Sequence, residues 1–73
     1  MPAIPPMSGW EVVKVFESLG WRFMRQTGSH LIVAKEDQPS TLAIPNHKEV
    51  AKGTLRGIIR TANMTVAEFI AAI

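Results

Sequence analysis

The sequence contains no cysteine, so neither a disulfide nor a thiolate-held zinc can stabilise the fold. Histidine is scarce, with only His30 and His47. Two imidazoles make a thin metal site, and neither a metal nor an organic cofactor is expected. No apolar run approaches the roughly 20 residues that a membrane-spanning helix requires. The opening stretch MPAIPPMSG lacks the basic and apolar regions of an export signal, which makes the cytoplasm the expected location and a membrane an unexpected partner. A strong charge of one sign is missing too. The formal net charge of +2 permits a nucleic-acid partner without demanding one.

What remains is short and well punctuated. Seventy-three residues make one domain, near the lower size limit for folding without staples. Residues 1–7 read as a proline-rich arm, non-helical and extended over a domain formed by residues 8–73. Ser8 and Glu11 have the spacing of a capping box, which starts a helix at Gly9 or Trp10. Trp10, Val13, Phe16 and Leu19, joined by Val12, fall on one face at helical spacing. Gly20 closes that helix.

Three strands follow, WRFMRQ (21–26), HLIVAKE (30–36) and TLAI (41–44). Thr27-Gly28-Ser29 and Asp37-Gln38-Pro39-Ser40 supply the turns. Connections this short make the strands an antiparallel meander. A second helix is predicted from about Gly53-Thr54, with Leu55, Ile58, Ile59 and Ala62 as its buried stripe. Thr65 and Glu68 form a second capping box, opening a terminal helix that turns Val66, Phe69, Ile70 and Ile73 inward. The expected fold is therefore α+β, in the order α-β-β-β-α-α.

Alternation assigns the two sheet faces. Trp21, Phe23, Leu31, Val33, Leu42 and Ile44 are the bulky set expected to face the helices. Arg22, Met24, His30, Ile32, Ala34, Thr41 and Ala43 are left on the other face, which is apolar for a surface. That face fits either a small protein unable to make all of its surface polar or a docking face for a partner.

Three polar features could carry chemistry. In Gly28-Ser29-His30, turn geometry accounts for the glycine and the serine but not for the histidine. In PNHKEVAKGT (45–54), His47, Lys48 and Lys52 gather before a helix N-terminus, where free N–H groups suit a phosphate. Lys52, Arg56 and Arg60 form a cationic stripe at i, i+4 and i+8, which fits either a solvated helix face or a nucleic-acid backbone contact.

Four motifs in this order resemble the HicA (YcfA-like) toxin family: Leu19-Gly20-Trp21, Arg25-Gln26-Thr27-Gly28-Ser29-His30, Pro45-Asn46-His47 and Lys52-Gly53-Thr54-Leu55. The likeness runs from about Met7 to Phe69, and several spaced motifs are far more specific than one. The resemblance implies a fold like the double-stranded-RNA-binding domain, with helices on one face of a three-stranded sheet. It implies a ribosome-independent mRNA endonuclease that arrests growth and is held inactive by a HicB antitoxin. It makes His30 the catalytic residue. Arg25, Gly28, Ser29, His47, Lys48 and Lys52 become the substrate contacts expected around it, and Met24, Ile32 and Ala34 the expected antitoxin footprint. The family often has a basic residue where this chain has Thr27, which weakens RNA contact at the hairpin tip. The reading from another class is a non-catalytic RNA-binding module, in which Gly28-Ser29-His30 only shapes the hairpin.

Overall fold

A computed structural model describes residues 3–73; the first two residues of the proline-rich arm lie outside the described residues. The elements are α1 (Gly9–Ser18), β1 (Arg22–Thr27), β2 (His30–Ala34), β3 (Leu42–Pro45), α2 (Lys52–Thr61) and α3 (Val66–Ala71). The strands form an antiparallel sheet in the order β1-β2-β3. This is the expected α+β meander, with β2 in the centre.

Local chemistry sets the helix ends. Ser8 Oγ accepts from the Glu11 N–H at 3.2 Å, and the Glu11 carboxylate accepts from the Ser8 N–H at 2.8 Å. At the other end of α1, Gly20 takes φ +98°. Its N–H donates to Glu17 and the Trp21 N–H donates to Phe16, which is the Schellman arrangement. Asn63, at φ +60°, closes α2 in the same way: its N–H bonds the Arg60 carbonyl, and the Met64 N–H bonds that of Ile59.

The Thr65–Glu68 box opens α3. Glu68 accepts from the Thr65 N–H at 2.7 Å, and its own N–H donates to Thr65 Oγ1 at 3.1 Å. First the backbone bond and then the side-chain bond to Thr65 hold the Glu68 carboxyl below its ordinary value. A depressed carboxylate stabilises the fold above its unfolded value, about pH 4 for glutamate. That support is lost as pH falls through the lower folded value. Ser8→Ala and Thr65→Ala should each cost about 1 kcal/mol, read as a fall of roughly 4–8 °C in Tm. The Thr65 effect should shrink in acid.

The core lies between the sheet and the helices. Val12, Val13, Val15 and Phe16 from α1 meet Trp21, Leu31, Val33, Leu42 and Ile44 from the sheet side, and Leu55, Ile58, Ile59 and Ala62 from α2. Phe16 joins Trp21 edge-on at 5.8 Å and Phe69 at 5.4 Å. The arm reaches this core as well: Ile4 and Met7 are buried, and the Met7 carbonyl accepts from the Val50 N–H at 2.8 Å.

Four expectations need correction. Trp10 is 44% exposed and Phe23 37% exposed; the two rings meet at a 50° tilt, with centroids 5.2 Å apart. The buried stripe of α1 begins at Gly9, not Trp10, and runs Gly9, Val12, Val13, Phe16. Ile73 is 58% exposed, because α3 ends at Ala71 and its periodicity stops there. Boundaries shift slightly: β2 ends at Ala34, since Lys35 and Glu36 already belong to the turn region, and α2 starts at Lys52.

Candidate active site

The site residues are placed by one hairpin and one loop. Thr27 pairs with His30 across a two-residue connection. Gly28 has φ +58°, and Ser29 does not share a positive φ. Positive φ at the first loop residue alone is the signature of a type II′ turn, whose twist matches the flanking strands. Nothing lies within 4 Å of where a Gly28 Cβ would sit, so a side chain there is opposed by backbone conformation alone. Gly28→Ala should cost about 1–2 kcal/mol in a thermal melt, with no packing change to accompany it.

His30 is the first residue of β2 and is exposed. Its strand is central, so it has neighbours on both sides: Thr27 of β1 and Pro45 of β3. Cross-strand partners project from the same face. The open face at this end of the sheet is therefore Thr27, His30 and Pro45, with Arg25 and Ile32 one pair further along.

Arg25 stands there because β1 is irregular. The register steps from Phe23 opposite Val33 to Arg25 opposite Ile32, which leaves Met24 as a one-residue bulge. Strict alternation from Phe23 would have turned Arg25 toward the helices. The bulge resets it beside His30's face, and Met24 itself is exposed at the sheet edge. Ala34 stands opposite Arg22 at the far end of β2, four residues from His30 and so about 13 Å along the strand. The expected footprint of Met24, Ile32 and Ala34 thus spans the length of the open face.

The loop after β3 is fastened on both sides. The Asn46 N–H donates to the Ser29 carbonyl at 2.7 Å, and the His47 carbonyl accepts from the Gly9 N–H at 3.0 Å. A Cβ on Gly9 would fall on the Pro45 carbonyl oxygen. The backbone of His47 is thereby held one residue from a hydrogen bond to the turn that carries His30. Beyond it, Lys48 is exposed, Val50 is buried as an anchor, and Lys52 opens α2. The cap residue of α2, Ala51, offers no side-chain oxygen, and the first turn has no acidic residue. The leading N–H groups therefore keep their positive end, with Lys52 beside it. Arg56 and Arg60 are exposed further along the helix.

The cations of the site form no ion pairs among the described residues, although Glu49 is exposed between Lys48 and Lys52. Among the described residues the only ion pair is Lys35–Asp37 at 3.7 Å. Both residues follow β2 and lie away from the hairpin. No helix among the described residues is long and apolar enough to cross a membrane. The bulge at Met24 and the contact at Gly9 were not read from the sequence. A glycine inside a helix's first turn, directly after its cap, was the available signal for a close approach.

Residues 9–64 match the family described as HicA toxin of bacterial toxin–antitoxin systems. The chain belongs to the HicA toxin family. A chain of a toxin–antitoxin complex from Streptococcus pneumoniae shares its fold, with a TM-score of 0.70 and 35% identity over 81% of this chain and 100% of that one. No curated protein is significantly similar to it in sequence. The segment matched to the HicA family contains the hairpin, the fastened loop and α2, so every polar feature described above lies inside it.

Proposed function

We propose that this HicA-family toxin is an endoribonuclease that cuts mRNA in the cytoplasm without the ribosome or a metal, with His30 as its general acid/base. The observation that carries this reading is the exposed His30 on the central strand. It has Arg25 reset to its face and Asn46, the neighbour of His47, tied to its turn through the Ser29 carbonyl.

A ring nitrogen of His30 takes the proton of a ribose 2′-OH. The freed oxygen attacks the adjacent phosphorus as the bond to the 5′-oxygen breaks. The products are a 2′,3′-cyclic phosphate and a 5′-hydroxyl. Imidazole suits the step because it gains and loses its proton near neutral pH. Charge growing on the phosphoryl oxygens needs fixed donors. Arg25, Lys52 and the leading N–H groups of α2 fill that role. His47 is the proposed donor of a proton to the leaving oxygen, Lys48 holds a neighbouring phosphate, and Gly28 and Ser29 present bare backbone at the tip. A fold of this kind meets RNA through phosphates and 2′-OH groups more than base edges.

A HicB-type antitoxin is the proposed inhibitor. Its footprint is Met24, Ile32 and Ala34, which flank His30 along the open face, so that docking covers the catalytic imidazole.

The test is chemical. Purified protein should cut a single-stranded RNA in EDTA, and should fail when the one ribose at the cut site is replaced by deoxyribose. Loss of cleavage in EDTA would move the mechanism to a metal ion; continued cleavage at the deoxyribose would remove the 2′-OH as nucleophile.

A further inference from the structure

The chain has five aromatic residues, two tryptophans and three phenylalanines. Phe16, Trp21 and Phe69 are in the core, where their burial needs no further explanation. Trp10 and Phe23 are part-exposed and pack against each other at a 50° tilt on the β1 side of α1. With 44% and 37% of their surface exposed, the two rings leave in water apolar area whose burial would stabilise the fold by roughly 25 cal/mol per Å². The core does not use them, and His30's turn does not touch them.

Their surroundings indicate what they meet. Arg22 and Arg25 are exposed on the same edge strand as Phe23 but on the other sheet face, opposite Ala34 and Ile32 where Phe23 stands opposite Val33, and neither is in an ion pair. Lys14, one helical turn beyond Trp10, is exposed and also unpaired. Of the two carboxylates on α1, Glu11 is turned back onto the Ser8 N–H at 2.8 Å, while Glu17 is exposed two turns beyond Trp10 and forms no ion pair among the described residues. Rings on the helix side of this edge strand and arginines on its open side supply the two components of a single-stranded nucleic-acid track laid over the edge, with rings for bases and cations for phosphates. A second copy of this chain fits poorly, since pairing β1 with β1 would bring two arginine pairs together. The edge is also continuous with the proposed active site. Arg25 belongs to both, and Trp10 directly follows Gly9, which bonds the His47 carbonyl.

We propose that Trp10, backed by Phe23, is a stacking platform for an unpaired base of the RNA, with Arg22 and Lys14 taking flanking phosphates. Trp10 is a positioning residue and touches no reacting atom. The inference rests on the ribonuclease reading and adds to it a preference for unpaired RNA beside the cut.

A single-stranded RNA with 2′-O-methyl sugars, which cannot be cut, serves as the binding probe, alongside its duplex form. Trp10→Ala should weaken single-strand binding about tenfold, the worth of one stacked base, and should leave duplex binding unchanged. On cleavable RNA its KM should rise with kcat held, and Trp10→Phe should restore both. Unchanged single-strand binding and KM in a folded Trp10→Ala protein would overturn the proposal while leaving the ribonuclease reading intact. So would a variant that loses only its affinity for a HicB-type protein, which would make this edge a protein-docking face. If the unaltered protein neither binds nor cuts RNA, the ribonuclease reading fails and the platform fails with it.

Discussion

His30→Ala should reduce RNA cleavage by two to four orders of magnitude, the usual worth of a positioned general base, and should abolish growth arrest on induction. The fold should be nearly indifferent. His30 is exposed and heads a strand paired on both sides through backbone groups, and a surface substitution of this kind changes stability by about 0.5 kcal/mol or less. RNA affinity should also persist, because the cations of Arg25, Lys48 and Lys52 are untouched. Three measurements on one protein check this: a melt, a salt-dependent binding isotherm and a cleavage assay. A variant that melts normally, binds RNA and still cuts it would remove His30 from the chemistry and move the general base to another residue.

Gly9→Ala should produce the largest loss of stability of any single added methyl group. The new Cβ would meet the Pro45 carbonyl oxygen, with Pro45 C and Asn46 Cα each at 3.1 Å. These are backbone atoms and cannot swing aside. The helix or the loop must move, at a cost on the order of 3 kcal/mol, which lowers Tm by roughly 10–20 °C in a domain of this length. The same displacement stretches the bonds from Gly9 to His47 and from Asn46 to Ser29. Cleavage should therefore fall even at temperatures where the variant remains folded. Gly57→Ala is the matched control: it is mid-helix with nothing within 4 Å of its Cβ, and it should stabilise by about 0.4–1 kcal/mol. If the two variants melted alike, the close packing of α1 on the loop would be disproved.

These two residues also mark what the sequence discloses and what it conceals. Both capping boxes, the α2 stripe of Leu55, Ile58, Ile59 and Ala62, and the meander could be read in advance, because each is a local pattern with a fixed spacing. Trp10 was misplaced because the true stripe of α1 starts at a residue without a side chain. Gly9 contributes nothing to a hydrophobic pattern, so periodicity alone points to its neighbour as the inward position. Phe23 does face the helix side opposite Val33, but as part of an edge strand it has no second strand beyond it to complete its cover. Arg25 was assigned to the substrate by resemblance, whereas its place on the open face depends on a bulge that no alternation rule foresees. Turn geometry explains the two residues before His30 and core packing explains Leu31 and Val33, which leaves His30 without a structural reason; its catalytic role is what the family resemblance implies.

The bulge at Met24 has an effect on how this molecule can vary. It breaks β1 into two segments that are out of phase. Arg22 and Phe23 keep time with the start of the strand, and Arg25, Gln26 and Thr27 keep time with the hairpin. Met24 absorbs the mismatch between them. A change in the length of the connection from α1 can therefore be taken up at that one residue without rotating the arginine off its face. The scaffold can drift on one side of Met24 while the chemistry on the other side stays in register.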